Sequence, residues 1–325
     1  MTNEILKVSG LKTHFHTRRG IVKAVDGVDF SLHPGEILGM VGESGCGKSI
    51  TSLSILGLIQ KPAGRIVDGE ILFNGKNLLA LSEKEMNNIR GRDISMIFQE
   101  PMTSLNPVYT IGEQISEVLR QHAGMNRKTA WKRGEELLDM VKMPLPKKRM
   151  YCYPHELSGG MRQRVMIAMA LACKPSVLIA DEPTTALDIT IQAQILELIL
   201  DLRKQTGTAI LFITHDLGVV AELCDRMIVM YCGHVVEQGK VADVFADPRH
   251  PYTQGLLRSI PNVKCDTDTL FSIDGSVPSP FALPKGCSFA PRCRASTQKC
   301  TEVMPPLIEV EKDWVVRCNK GVSCV

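Results

Sequence analysis

Residues 42–49 read G-x-x-x-x-G-K-S and lie between an apolar run and an apolar helical pattern. The apolar run, residues 36–41, predicts a buried strand, and the pattern after it predicts a helix that extends to about Leu58. Glycines let a backbone wrap around a phosphate without Cβ clashes, and the N–H groups that open the helix supply positive potential. The context therefore predicts a phosphate-binding loop in an α/β fold, called the phosphate loop below.

The phosphate loop assigns roles to its side chains. We expect Lys48 to reach the β- and γ-phosphates of a nucleotide and the Ser49 hydroxyl to ligate Mg²⁺, whereas Ile50 contributes only its backbone N–H. The alternative interpretation is a glycine-rich turn without chemistry. The predicted nucleotide-binding residues of this segment are Gly42, Glu43, Ser44, Gly45, Cys46, Gly47, Lys48, Ser49 and Ile50.

Two further apolar runs predict buried strands at residues 177–181 and 209–214, with a helix over 190–204 between them. Asp181 and Glu182 come at the end of the first run, where nucleotides bind in sheets of this kind. Asp181 is suited to hold Mg²⁺, and Glu182 to polarise the attacking water as general base. An ordinary acidic pair at a strand end is the alternative.

The composition is that of a globular protein rather than a disordered chain. An apolar fraction of 44% with 22% charged residues is typical of a globular chain, and a net charge of +3 gives no indication of nucleic-acid binding. The longest apolar run, residues 165–173, is about half of a bilayer span. The first residues lack the pattern of a secretory signal, so we expect a soluble, cytoplasmic protein.

Three regions differ in pattern. Residues 1–248 alternate strand-like and helical segments, as in an α/β domain, and about 100–172 within them read as an inserted helical subdomain. The segment 126–141 predicts an amphipathic surface helix. Prolines become frequent in residues 249–325, which predicts a small, loop-rich C-terminal module.

A second anion site is predicted at residues 157–164, LSGGMRQR, ahead of a helix. The Ser158 hydroxyl, the N–H groups of Gly159 and Gly160 and the following helix N-terminus all favour a phosphate. One nucleotide does not need two phosphate sites in one chain. The pattern therefore predicts a head-to-tail dimer, in which each nucleotide lies between the phosphate loop of one subunit and the LSGGM segment of the other.

With these motifs in order, the first 240 or so residues resemble an ABC ATPase, a P-loop NTPase whose nucleotide-binding domain carries an inserted helical subdomain. The resemblance implies that Gln99 contacts the metal or the water and senses the transmembrane partner. It also implies that Asp188, in residues 186–188, is the D-loop aspartate and that His215 contacts the γ-phosphate. Phe15 is the candidate for stacking on adenine, with a core phenylalanine as the alternative.

Longer strings narrow the resemblance. Residues 98–107, 153–157 and 249–253 are similar to those of the ATPase subunits of oligopeptide, dipeptide and nickel importers, and the long extension favours the peptide branch. This implies an ATP-hydrolysing motor on the cytoplasmic face of the membrane. Its partners would be a related second ATPase in a heterodimer, two permease subunits and an external peptide-binding protein. The alternatives are a nickel or other small-solute importer, a soluble ABC ATPase, or a regulatory subunit without turnover.

Six of the eleven cysteines lie from Cys265 onwards. Cysteines clustered in a chain without a signal peptide point to a metal site rather than disulfides. Four of them can bind zinc or a cubane cluster, and the resemblance implies a 4Fe–4S cluster, with Cys265 and Cys324 as possible substitutes. The predicted ligands are Cys287, Cys293, Cys300 and Cys318.

Overall fold

A computed structural model describes residues 4–100, 104–185, 188–260 and 272–319. Its strands are β1 (Leu6–Thr17), β2 (Gly20–Leu32), β3 (Ile37–Val41), β4 (Gly64–Phe73), β5 (Lys76–Asn77), β6 (Ile94–Ile97), β7 (Val177–Asp181), β8 (Ala209–Ile213), β9 (Arg226–Tyr231), β10 (His234–Lys240), β11 (Ile308–Glu311) and β12 (Trp314–Val316).

The described α-helices are α1 (Lys48–Ile55), α2 (Glu83–Ile89), α3 (Ile111–Ala123), α4 (Arg127–Met140), α5 (Pro146–Arg149), α6 (Gly159–Leu171), α7 (Ile189–Thr206), α8 (Leu217–Leu223), α9 (Val241–Ala246), α10 (Pro251–Arg258) and α11 (Gln298–Glu302). Short 3₁₀ turns cover Leu78–Ala80, Pro154–Glu156 and Ala290–Arg292. Across the described ranges, no helix is both long and apolar enough to cross a membrane.

The predicted strands and helices around the motifs are confirmed, with one correction. Helix α1 ends at Ile55, not near Leu58, because Gly57 adopts a left-handed φ of 62° and the Leu58 N–H donates to the Leu53 carbonyl at 2.8 Å. This pattern is a helix-terminating Schellman motif. The predicted amphipathic helix at 126–141 is α4, whose first turn is capped by the Asn126 side chain.

The chain divides into two compact units. The first unit comprises the described residues of 1–6, 32–36 and 80–212. In it, β6 and β7 pair in parallel, from Ile94 opposite Val177 to Ile97 opposite Ala180. Strand β8 follows β7 in the order β8-β7-β6, and helices α3, α4 and α6 pack against one another. Strands β7 and β8 are buried along their whole length, and β6 is buried except at the partly exposed Met96, as expected of parallel strands rich in apolar residues.

The second unit comprises the described residues of 7–31, 37–79 and 213–325. Its strands run in the order β11-β12-β10-β9-β3, and a separate sheet has the order β2-β1-β4-β5. Strands β3 and β9 are parallel, whereas β9 and β10 form a hairpin. Its two-residue turn is Cys232–Gly233, with φ values of 46° and 82°, as a type I′ turn needs.

The C-terminal segment shares the core of the second unit. Strand β12 pairs with β10 through Val316 opposite Glu237, and Tyr252, Phe289 and Trp314 pack in one buried cluster with β9. Glu237 lies at the centre of this packing. It is fully buried, and its carboxylate accepts from the N–H groups of residues 249 and 250 and from Trp314 Nε1 at 2.8–3.0 Å.

Candidate functional site

The phosphate loop connects β3 to α1 in the second unit, and its glycines are required by geometry. Gly42, Gly45 and Gly47 have φ values of 150°, 79° and 109°, which side chains other than glycine rarely adopt. A Cβ on Gly42 would lie 2.3 Å from the Met230 carbonyl oxygen, and one on Gly47 would lie 2.4 Å from that of Ala24. The neighbouring strands therefore leave room for backbone alone.

Lys48 is almost fully buried within this loop. Its Nζ donates to the carbonyl oxygens of Gly42 at 2.7 Å and Glu43 at 3.2 Å, so the ammonium group lies across the start of the loop. Burial raises the pKa of the neighbouring Cys46 thiol, although Lys48 opposes the rise. Cys46 is therefore a small buried packing residue in its neutral form.

The mouth of the loop is accessible. Ser44 and Gly45 are exposed, and Ser49 and Ile50 are partly buried at the start of α1. The first turn of α1 holds no acidic residue, and Gly47 supplies no side-chain cap. The positive N-terminal end of α1 is thus not neutralised by an acidic residue in its first turn. This end of the helix therefore favours binding of an anion.

His215 belongs to the second unit and lies near the end of β3. The Thr214 N–H donates to the Met40 carbonyl at 3.2 Å, which holds the end of this segment beside the strand that leads into the phosphate loop. His215 is exposed, and the next residue, Asp216, caps α8 through its side chain. The backbone on both sides of the imidazole is therefore fixed.

Phe15 lies in β1 with a partly buried side chain. Its ring packs beside Gly64, where an added Cβ would come within 2.7 Å of Phe15 Cε1. The ring therefore has both packed and accessible surface. Its adenine-stacking role stays a prediction.

In the first unit, the structure brings Gln99 and Glu182 together. Gln99 Nε2 donates to Glu182 Oε2 at 2.9 Å, and the Thr185 hydroxyl donates to the same oxygen at 2.9 Å. Glu182 adopts a left-handed φ of 46°, a strained conformation for this residue type. Asp181, the last residue of β7, is 4% exposed. The Glu182 carboxylate is thus held on an accessible turn, directly after the buried carboxylate of Asp181.

Ser158 is the N-cap of α6, and its hydroxyl accepts from the Met161 N–H at 3.4 Å. Ser158 and Gly159 are exposed, and an added Cβ on Gly159 would meet no atom within 4 Å. A Cβ on Gly160, in contrast, would lie 2.8 Å from Ile191. Gln163, one turn later, donates to the Pro183 carbonyl and so ties α6 to the residue after Glu182.

The D-loop segment is described only in part. Ala186 and Leu187 lie outside the described residues. Asp188 is exposed and is the N-cap of α7, where its carboxylate accepts from the Ile191 N–H at 2.9 Å. Its observed interaction is thus structural, and its role toward a nucleotide stays a prediction.

Four cysteines, the predicted metal ligands, line one small cavity in the second unit with a volume of about 20 Å³. Burial raises the pKa of the Cys287 thiol, and nearby Cys300 and Cys293 add to the rise. The thiols supply suitable donor types for a metal, but the cavity has room for about one water molecule. Within the described residues, no group of three or more Cys, His, Asp or Glu side chains has the arrangement of a metal site.

Comparisons with known proteins identify the family. Residues 25–185 match the family described as "ABC transporter", and residues 236–300 match "Oligopeptide/dipeptide transporter, C-terminal region". The chain is 57% identical to the oligopeptide transport ATP-binding protein AppD of Bacillus subtilis, over 97% of this chain and 96% of that protein. The chain belongs to the ABC transporter ATP-binding proteins.

Other relatives of this ABC protein agree. The dipeptide transport ATP-binding protein DppD of Bacillus subtilis is 52% identical over 93% of this chain and 90% of its own length. Among solved structures, a dimeric ATP-binding cassette in a post-hydrolysis state bound to ADP and Pi matches with a TM-score of 0.66 and 29% identity. It covers 73% of this chain and 98% of that cassette. The predicted α/β ABC cassette fold is confirmed.

Some residues of this ABC protein contact the motifs from elsewhere in the chain and carry no motif of their own. Thr185 shares the Glu182 carboxylate with Gln99. Arg292 and Tyr252 contact Glu43 of the phosphate loop. Arg292 is 249 positions from Glu43, and no local pattern in the sequence links two residues so far apart.

Proposed function

We propose that this chain is the ATP-hydrolysing motor subunit of an ABC importer for dipeptides or oligopeptides. The observation that carries the proposal is the match of residues 236–300 to the C-terminal region of oligopeptide/dipeptide transporters. The relatives named for oligopeptide and dipeptide transport support it over most of their length. A nickel or other small-solute importer is the alternative function.

The proposed chemistry is attack of water on the γ-phosphorus of ATP, which breaks the bond between that phosphorus and the β–γ bridging oxygen and releases ADP and phosphate. The phosphate loop and Lys48 hold the phosphates, and His215 contacts the γ-phosphate. Oxygen ligands suit Mg²⁺, which neutralises phosphate charge when bound, and we assign Ser49, Gln99 and Asp181 to it. Glu182 accepts the proton of the water as general base. Its hydrogen bonds to Gln99 and Thr185 support this role, because they orient the carboxylate.

A complete site is proposed to need two ATPase subunits. Ser158, Gly159 and Gly160 of one subunit would contact the ATP held by the phosphate loop of the other. The exposure of Ser158 and Gly159 supports this, as does the likeness to a cassette solved as a dimer with ADP and Pi. The second subunit is proposed to be a related ATPase, which makes the pair a heterodimer.

Coupling to transport would occur through the membrane partners of the complex. ATP binding closes the ATPase pair, the closure is passed to two permease subunits, and hydrolysis resets it. An external peptide-binding protein delivers the peptide. The chain would therefore lie on the cytoplasmic face of the cell membrane, attached through the permeases.

For the four cysteines, we propose a 4Fe–4S cluster, with zinc as the alternative. The cavity lined by all four thiols supports the donor set. Cluster binding requires the thiols to move apart, because the cavity volume is about 20 Å³. Anaerobic purification, a visible absorption spectrum and metal analysis test this: iron and sulfide in equal amounts support the cluster, and zinc alone contradicts it.

The test of the importer function uses the reconstituted complex. ATP hydrolysis is measured in proteoliposomes that contain this chain, its second ATPase and the permeases, with the binding protein loaded with a dipeptide, an oligopeptide or Ni²⁺. The proposal expects stimulation by a peptide-loaded binding protein. Stimulation by Ni²⁺ without response to any peptide would favour the alternative.

A further inference from the structure

The guanidinium group of Arg292, in the C-terminal segment, forms an ion pair with Glu43 of the phosphate loop. Nη1 lies 2.7 Å from Glu43 Oε2 and Nη2 lies 3.1 Å from Oε1, so the pair is bidentate. The remaining N–H groups donate to Tyr231 Oη and to the carbonyls of Ile273 and Asp274 at 3.1–3.3 Å. The Arg292 side chain is only 5% exposed. Its donors are therefore fully used, and its orientation is fixed.

A second residue of the C-terminal segment holds the same loop position. The Glu43 backbone N–H donates to the Tyr252 hydroxyl at 2.9 Å. Tyr252 is fully buried, and its ring packs on Tyr231 with centroids 4.6 Å apart. The hydroxyl therefore cannot leave the loop without disturbing the core of the second unit.

These contacts bear on the shape of the loop itself. The Glu43 carbonyl accepts from Lys48 Nζ and from the Cys46 N–H, both at 3.2 Å. The carbonyl is thus held from inside the loop, whereas its N–H and carboxylate are held by Tyr252 and Arg292. An ion pair with both partners oriented and largely shielded from water is stronger than one at the surface.

We propose that Arg292 and Tyr252 are positioning residues for nucleotide binding, which hold the phosphate loop in its binding shape from the C-terminal segment. The inference rests on the proposed nucleotide site. It gives the C-terminal segment a role in the ATPase reaction of its own subunit. Neither residue contacts the nucleotide; both act through Glu43.

The test measures equilibrium binding of a fluorescent ATP analogue, trinitrophenyl-ATP, to the full chain, and the KM and kcat for ATP in the assembled complex. Arg292→Gln should raise both Kd and KM by about tenfold, the equivalent of losing one charge-assisted hydrogen bond, with a smaller fall in kcat. Arg292→Lys keeps the positive charge but cannot make the bidentate contact. Its Kd and KM should therefore lie between those of Arg292→Gln and wild type.

The matched control is Arg294→Gln. Arg294 is two positions away, 83% exposed, and pairs with Asp274 at the surface at 2.6 Å. Its loss should leave Kd and KM unchanged, because exposed ion pairs contribute little. Tyr252→Phe keeps the buried ring and removes only the hydroxyl, so it tests the role if Arg292→Gln does not fold. It should raise Kd severalfold.

Two negative results have different meanings. If Lys48→Ala binds the analogue as wild type does, the nucleotide site is assigned wrongly and the proposed function fails. If Lys48→Ala loses binding, but Tyr252→Phe and every folded Arg292 variant keep Kd and KM within twofold of wild type, the positioning role alone is overturned.

Discussion

Gln99 Nε2 donates a hydrogen bond to Glu182 Oε2 at 2.9 Å, which joins two residues 83 positions apart. The Thr185 hydroxyl donates to the same oxygen at 2.9 Å. The carboxylate that is proposed to activate water is therefore oriented by two neutral donors.

Substitution of Gln99 by alanine removes one of these donors. We expect Gln99→Ala to lower kcat for ATP hydrolysis in the assembled complex by about tenfold, because the Glu182 carboxylate loses its orientation. Nucleotide Kd should change less. The control is Gln298→Ala, which removes an exposed amide bound to Glu302 and should leave kcat unchanged. An unchanged kcat in Gln99→Ala would contradict the positioning role.

The glycines of the phosphate loop are expected to differ in their tolerance of a methyl group. Gly42→Ala forces a Cβ to 2.3 Å from the Met230 carbonyl oxygen, whereas a Cβ on Gly45 meets nothing within 4 Å. Both positions have positive φ, so each pays about 1 kcal/mol or more in backbone strain. Gly42→Ala should lose substantially more unfolding free energy in urea titrations, and equal losses would contradict the clash.

Ser158 is expected to combine a structural and a functional role, which two variants separate. Ser158→Ala loses the cap of α6, at a cost of about 1 kcal/mol in unfolding free energy. Ser158→Asp keeps a good capping group but sets a carboxylate against the partner-bound phosphates. We expect it to keep the wild-type Tm and lose ATP hydrolysis. Wild-type hydrolysis in Ser158→Asp would contradict the shared site.

Stability should fall as the pH is lowered below about 6.5. Burial lowers the pKa of His250 to about 3 and that of His234 to about 4, and the positive charge of Arg317 adds to both shifts. Below about pH 6.5 the unfolded chain binds protons that the folded chain does not, so each histidine costs up to about 1.4 kcal/mol per pH unit. This loss continues until the pH reaches the folded pKa.

The variant that isolates this effect is His250→Asn. Its amide oxygen can accept from the Tyr252 N–H, as His250 Nδ1 does at 3.1 Å, but it does not titrate. The slope of unfolding free energy against pH between about 4 and 6.5 should decrease by the contribution of about one proton, which is about 1.4 kcal/mol per pH unit. The exposed His16→Asn is the control and should keep the wild-type slope. A slope in His250→Asn identical to that of the wild type would show that His250 does not contribute to the loss of stability.

Local patterns in the sequence were sufficient for the elements that carry the motifs. The apolar run before Gly42 predicted β3, and the runs before Asp181 and His215 predicted β7 and β8. These strands are buried on both faces, so their sequences are continuously apolar and easily recognised. The phosphate loop was recognisable because its glycines, lysine and serine have fixed spacing between a strand and a helix.

The remaining features depend on contacts between distant segments. The packing of Tyr252 and Phe289 with β9 has no periodic signal, because Tyr252 lies in the short helix α10 and Phe289 directly precedes a short 3₁₀ turn. The bidentate contact of Arg292 with Glu43 depends on that packing. Hydrogen-bond partners set by tertiary structure cannot be inferred from residue spacing along one chain.

ATP-driven peptide import through Glu182 is tested by uptake of a labelled dipeptide or oligopeptide into cells whose only copy of this ATPase is wild type or Glu182→Gln. The variant keeps the side-chain shape but removes the proposed base. We expect Glu182→Gln to bind ATP still, to hydrolyse it at least about 100-fold more slowly, and to lose peptide uptake. Wild-type hydrolysis and uptake in the variant would contradict this expectation.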